Sequence, residues 1–182
     1  MWHNVTGVTD DQRILVLMRH AKSAYPDGVA DRDRPLAARG EREAELAGDR
    51  LRDGALVDPS VQAVLCSSAT RTRQTLACTG IEAPVHFDER LYGATPGAII
   101  AEINDTDTTF GFDVRTLLVV GHEPSMSQLA LGLSGAEGTN MAAVERISVK
   151  YPTSAIAVLR VTGPWASVEP GSAALTSFCV PR

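Results

Sequence analysis

Long apolar runs are missing from this chain. The longest clear one, Ile-Leu-Val-Leu-Met at 14–18, is far short of the roughly 20 residues that a membrane helix needs. A membrane span is therefore not expected. Cysteine is scarce: Cys66, Cys78 and Cys179 are odd in number, widely spaced and form no CxxC. They read as reduced thiols, so neither a disulfide framework nor a zinc site is indicated. A basic excess is also missing. Seventeen Lys and Arg against 22 Asp and Glu give a formal net charge of −5, with a pI near 5.3. That sign argues against a general nucleic-acid or anionic-membrane partner, so any anion site must be a local basic pocket. The opening MWHNVTGVTDDQR has neither the basic nor the apolar region of a signal peptide, and the expected compartment is the cytoplasm. Internal repeats, low-complexity tracts and a domain-separating linker are absent too.

What remains is an ordinary globular composition, 44% hydrophobic and 21% charged over 182 residues. It suits one domain, 1–182, with 1–13 as a possible N-terminal extension. A continuous apolar run at 14–18 and largely apolar stretches at 61–66 and 116–120 predict strands buried on both faces. A weak strand is read at 85–87, and late strands at 155–161 and 175–180. Between them, amphipathic or capped segments predict helices at 36 to about 54, from Ser67/Ser68 to about 79, from Thr95–Pro96 to about 104, and over 124–133. The alternation predicts an α/β fold, a three-layer αβα sandwich around a mostly parallel sheet. In such sheets ligands sit beyond the carboxyl ends of strands.

Three reactive segments follow predicted strands. Arg19-His20 pairs a planar cation with an imidazole whose neutral nitrogen can attack phosphorus. Ser67 to Thr75 (S-S-A-T-R-T-R-Q-T) puts Arg71 in a first helical turn, where the dipole favours an anion, and turns Arg73 elsewhere. Gly121-His122-Glu123-Pro124-Ser125 puts a histidine before a proline-started helix. It is not HExxH, and no second metal ligand stands at helical spacing. Taken singly, each segment reads more readily as a surface pair, a solvated basic face or a hydrogen-bonded turn. Asp31, Asp33 and Arg34 either line an entrance or form a solvated charged loop.

The order RHxxS, S-x-x-x-R-T-x-Q-T and GHEPS resembles the histidine phosphatase superfamily, with its phosphoglycerate mutase-like fold. RHAKS, DRPLAARG, LYGA, GHEPS, KYPTSAIAVL and the closing Pro-Arg are similar to its SixA-type phosphohistidine phosphatase branch. The resemblance implies that His20 is the phosphorylated nucleophile, that Arg19 and Arg71 clamp the phosphoryl group, and that His122 is the second histidine of the pocket. It implies a phosphate contact for Ser23. Lys22 would extend the basic rim. Glu89, in E-R-L-Y-G, matches the segment that carries the acid in mutases, although the SixA-like branch varies there. Pro26 stands where mutases carry an Asn. The implied activity is a metal-independent, cofactor-free hydrolase of phosphate monoesters or phosphoramidates, acting on phosphohistidine in a protein. A phosphatase for a small phosphorylated metabolite, or a non-catalytic phospho-ligand-binding domain, would share the same residues.

Overall fold

The computed structural model describes residues 11–182. Most of the possible N-terminal extension lies outside the described residues, but Gln12 and Arg13 open the first strand. A six-stranded sheet runs in the order β3-β2-β4-β1-β5-β6. Its members are β1 (Gln12–Arg19), β2 (Ala63–Ser67), β3 (Val85–Asp88), β4 (Thr116–Gly121), β5 (Ile156–Thr162) and β6 (Ala173–Cys179). The apolar strands lack alternation because helices cover both faces. Leu15 and Leu17 of β1 point to one face, Val16 and Met18 to the other. Helices α1 (Ala38–Arg52) and α2 (Thr70–Thr79) cover the second face through Ala47, Leu51 and Leu76. The first face is covered by α3 (Pro96–Asn104), α4 (Thr106–Phe110), α5 (Ser125–Leu133) and α6 (Met141–Val149), with Ile99, Ile103, Leu129 and Ile147 as anchors.

The three-layer sandwich is thus as expected, and β3, β2, β4 and β1 are mutually parallel. The edge departs from this: β5 runs antiparallel to β1, and β6 antiparallel to β5. The link between β5 and β6 is only 163–172, too short for a crossover helix, so that pair can only be antiparallel. Two helices escape the sequence pattern. In α4 only five residues are helical. In α6 only Ala143 and Ile147 are buried while Met141 and Val149 are exposed, which blurs the period. The first long helix begins at Ala38, not 36, because Leu36 bridges to Ser23 as extended chain.

Strand register does the positioning. Arg19 on β1 is level with Gly121 on β4, and Cys66 on β2 is level with Val120. The carboxyl ends of β1, β2 and β4 therefore form one rim, and the residues just beyond them meet there.

Candidate active site

The loop after β1 is tied down on every side. The His20 backbone N–H donates to Gly121 O at 3.0 Å, and Ser154 N–H donates to His20 O at 3.2 Å. Ala21 N–H donates to Thr75 Oγ1 at 2.9 Å, which links the loop to α2. Leu36 N–H donates to Gln74 Oε1 at 2.7 Å, and Ala37 N–H to Lys22 O at 2.9 Å. The R-T-R-Q-T stretch is therefore more than a basic helix face. Its Thr72, Gln74 and Thr75 brace backbone, while Arg73 points away and lies over the Phe87 ring at 5.0 Å.

The His20 ring is buried and its Nδ1 lies 2.7 Å from Ala21 O. A carbonyl only accepts, so Nδ1 carries the proton and Nε2 keeps its lone pair. Burial pushes the pKa of His20 down to about 3, and the nearby His122, Arg71 and Arg19 add to the effect. His122 is pushed down to about 4, by burial first and then by Arg71. Both rings are neutral at pH 7, with centroids 5.2 Å apart.

His122 Nε2 lies 2.8 Å from Ser67 Oγ. This corrects the expected cap. The residue that caps α2 is Ala69, without a side-chain cap bond, because β2 runs on through Ser67 and delivers that hydroxyl to the rim. Ser68 Oγ accepts from Arg32 Nη2 at 2.7 Å instead. Tyr92 sets its ring edge against His122, centroids 5.3 Å apart.

Arg19 Nη1 donates to Tyr151 O at 2.8 Å, and Tyr151 hangs its hydroxyl on Leu17 O at 2.7 Å. Arg71 is held through its two Nη atoms by Asp31, at 2.5 Å to the backbone oxygen and 3.1 Å to Oδ2. What these anchors leave over is telling. Arg19 Nε, Arg71 Nε and His122 Nδ1 are buried and have no partner among the described residues. Buried polar atoms normally have one, and an isolated buried N–H costs about 1–3 kcal/mol. All three belong to residues lining a single cavity of about 210 Å³, together with His20, Lys22 and Ser23. Two guanidinium groups and two imidazoles facing such a space suit a tetrahedral oxyanion.

The cavity thus gathers His20, Arg19, Arg71, His122, Ser23 and Lys22 from the sequence pattern. Glu89 is not in its lining. That carboxylate sits on a short 3-10 turn (Glu89–Leu91), 77% exposed, paired with Arg32 Nη2 at 2.7 Å. The cavity does include Glu123, whose carboxylate accepts from Ser127 N–H at 2.8 Å and Ser127 Oγ at 2.7 Å. Sequence reasoning did not identify the supporting roles of Ser67, Thr75, Tyr92 and Tyr151. All four stood inside motifs, Ser67 and Thr75 in S-x-x-x-R-T-x-Q-T, Tyr92 in LYGA and Tyr151 in KYPTSAIAVL, but nothing in those patterns stated what the side chains hold. Among the described residues no group of three or more His, Cys, Asp or Glu could hold a metal ion, and no helix is long and apolar enough to cross a membrane.

Comparison with known proteins fits this geometry. An uncharacterized protein of Mycobacterium tuberculosis is 64% identical over 165 residues, covering 91% of this chain and all of its own length. Among solved structures, a candidate phosphohistidine phosphatase SixA from Nakamurella multipartitia superposes with a TM-score of 0.80 at 38% identity, over 93% of this chain and 96% of its own. A phosphoglycerate mutase from Plasmodium falciparum shares the fold at a TM-score of 0.55 and 19% identity, over 94% and 93% of the two chains. The family whose model matches residues 15–108 is the histidine phosphatase superfamily (branch 1), and with these relatives the match shows that the chain belongs to it.

Proposed function

We propose that this protein is a phosphatase that carries the phosphoryl group on His20 and takes it from phosphohistidine in a protein. The observation that carries the reading is the set of unpartnered buried nitrogens, Arg19 Nε, Arg71 Nε and His122 Nδ1, on residues that line one cavity with His20. With its proton held on Nδ1 by Ala21 O, His20 offers the Nε2 lone pair to phosphorus. The P–N bond to the substrate imidazole breaks as the bond to Nε2 forms. Water then takes the phosphoryl group from His20 and releases inorganic phosphate.

The phosphoryl transition state spreads charge over its oxygens, so catalysis is mainly positioning and electrostatics. Each cation about 4 Å from that charge is worth ~4 kcal/mol at an effective dielectric of about 20. Arg19 and Arg71 supply such cations from within the chain, which is the ground for a reaction without metal or other cofactor. Ser23 and Lys22 border the same cavity and add a hydroxyl and a third cation for the phosphoryl group or its surroundings.

A phosphohistidine substrate suits the acid side of the site. Imidazole leaves far more readily than an alkoxide, so Glu89, paired with Arg32 at the surface, is not required as a strong proton donor. The SixA-type neighbour supports the same substrate class. The single-domain organisation, a cytoplasmic setting with reduced thiols, and a phosphorylated protein as partner belong to the same reading. Cys66, Cys78 and Cys179 are all free thiols.

The test is an acid-quench experiment with a phosphohistidine peptide labelled at phosphorus. Wild type is expected to carry acid-labile, base-stable phosphate, and His20→Ala to carry none and turn nothing over. Acid-stable label would move the nucleophile to a hydroxyl. Preference for sugar or nucleotide phosphates over phosphohistidine peptides would assign a small metabolite, and complete loss with EDTA, restored by a divalent metal, would end the metal-free reading.

A further inference from the structure

Arg71 is gripped along one edge by a single residue of the loop after β1. Both of its Nη atoms go to Asp31, one to the backbone carbonyl and one to the carboxylate. That carboxylate is itself fixed from outside. Tyr92 donates its hydroxyl to Oδ2 at 2.6 Å, and Arg34 reaches Oδ1 with Nε at 3.0 Å and Nη2 at 2.9 Å. Four donor contacts thus meet one carboxylate, and these hold its pKa down to about 2, Tyr92 first and then Arg71. Yet the Asp31 side chain is 59% exposed while that of Arg71 is 6% exposed, so core packing does not explain the arrangement.

A guanidinium offers two different donor edges in one rigid plane. Asp31 takes the Nη1/Nη2 edge of Arg71, and Nε on the other edge stays buried and unpartnered. Arg19 is treated alike. Tyr151 O takes its Nη1 while Nε is left over. In both cases a contact on one side sets the rotation of the plane, and the rotation decides where the remaining donors point. Small errors of aim cost phosphoryl transfer heavily.

We propose that Asp31 is a positioning residue for phosphoryl recognition: its carboxylate holds the outer edge of Arg71 and so aims the Nε edge at the phosphoryl group before His20. The inference deepens the phosphatase reading and rests on it. It opposes the alternative in which Asp31 competes with phosphate for Arg71, because the two predict opposite signs. As a competitor, Asp31 weakens oxyanion binding. As a positioning residue, it strengthens it.

The experiment uses the full chain and inorganic phosphate as probe, by titration calorimetry, alongside kcat and KM on a phosphohistidine peptide. Asp31→Ala is expected to weaken phosphate binding about tenfold and to lower kcat, with the backbone contact to Arg71 still in place. Its thermal midpoint without phosphate measures any folding cost, and phosphate binding is compared at a temperature where both proteins are fully folded, which separates aim from folding. Asp31→Asn keeps an acceptor without the charge and should fall between the two. In an Arg71→Ala background, Asp31→Ala should change kcat/KM no further, since it acts through Arg71. Unchanged or tighter phosphate binding in Asp31→Ala, or a full penalty that survives in Arg71→Ala, overturns the inference while leaving the phosphatase intact. A folded wild type that binds no phosphate brings down the anion site itself, and this inference with it.

Discussion

Two imidazoles held neutral among arginines make the native state acid-sensitive, and the size of the effect follows from the site. His20 and His122 are depressed from 6.5 to about 3 and about 4. In the unfolded chain both take up protons as pH falls through 6.5, while in the native protein neither does until near pH 4. The unfolded state therefore binds more protons in that window, and stability is lost as pH drops from about 6.5 towards 4. At pH 5 each ring costs ~2 kcal/mol relative to pH 8, or ~4 kcal/mol for the pair, against a typical total of about 5–15 kcal/mol. The Asp31 carboxylate, with its pKa near 2, remains ionised at pH 5 and adds little to the difference. Urea unfolding at pH 8 and pH 5 measures this directly. Wild type should lose ~4 kcal/mol more across that interval than a His20→Gln/His122→Gln double variant, whose side chains do not titrate. Millimolar phosphate, binding the native state alone, should offset part of the loss in wild type and none in the double variant. Equal losses in the two proteins would show that the rings are not held neutral by the cavity, and the neutral-nucleophile argument would go with them.

Other perturbations probe the supports. Ser67→Ala removes the partner of His122 Nε2 at 2.8 Å, and turnover should fall roughly tenfold with the fold retained; unchanged steady-state kinetics would make that contact incidental. Glu89→Gln should leave phosphohistidine turnover within about twofold, whereas a loss on the order of a hundredfold or more would mark Glu89 as the proton donor after all. Gly40→Ala places a Cβ into the Lys22 carbonyl oxygen, where α1 meets the strap that follows His20. Denaturation should show a loss of about 1–3 kcal/mol, and a neutral outcome would mean that the strap yields freely.

Much of the framework could be read in advance because it is recorded locally. The runs 14–18 and 116–120 are apolar without alternation because helices lie on both sides, and that burial is written into consecutive residues. Arg19-His20 and His122 stand directly after such runs, so their place at strand ends was legible as well. The weaker segments were not. Helix α6 buries only two of its apolar side chains, and the direction of β5 depends on its pairing with β1 rather than on its own residues. Ser67 looked like a helix cap because serine before a helix usually is one; the register of β2 against β4 turned it to His122 instead.

The chain's own order of residues thus determined which reactive groups stand beyond buried strands. Chemical type and hydrophobic period are properties of neighbouring residues. Tertiary structure alone decided which nitrogen of each ring is committed, which edge of each arginine is left over, and that Asp31 rather than solvent holds Arg71. For Arg19, Arg71 and His122 those outcomes depend on contacts between residues 40 to more than 100 positions apart, and even the bond of His20 Nδ1 to the adjacent Ala21 O depends on how the loop is anchored, so no local pattern carries them.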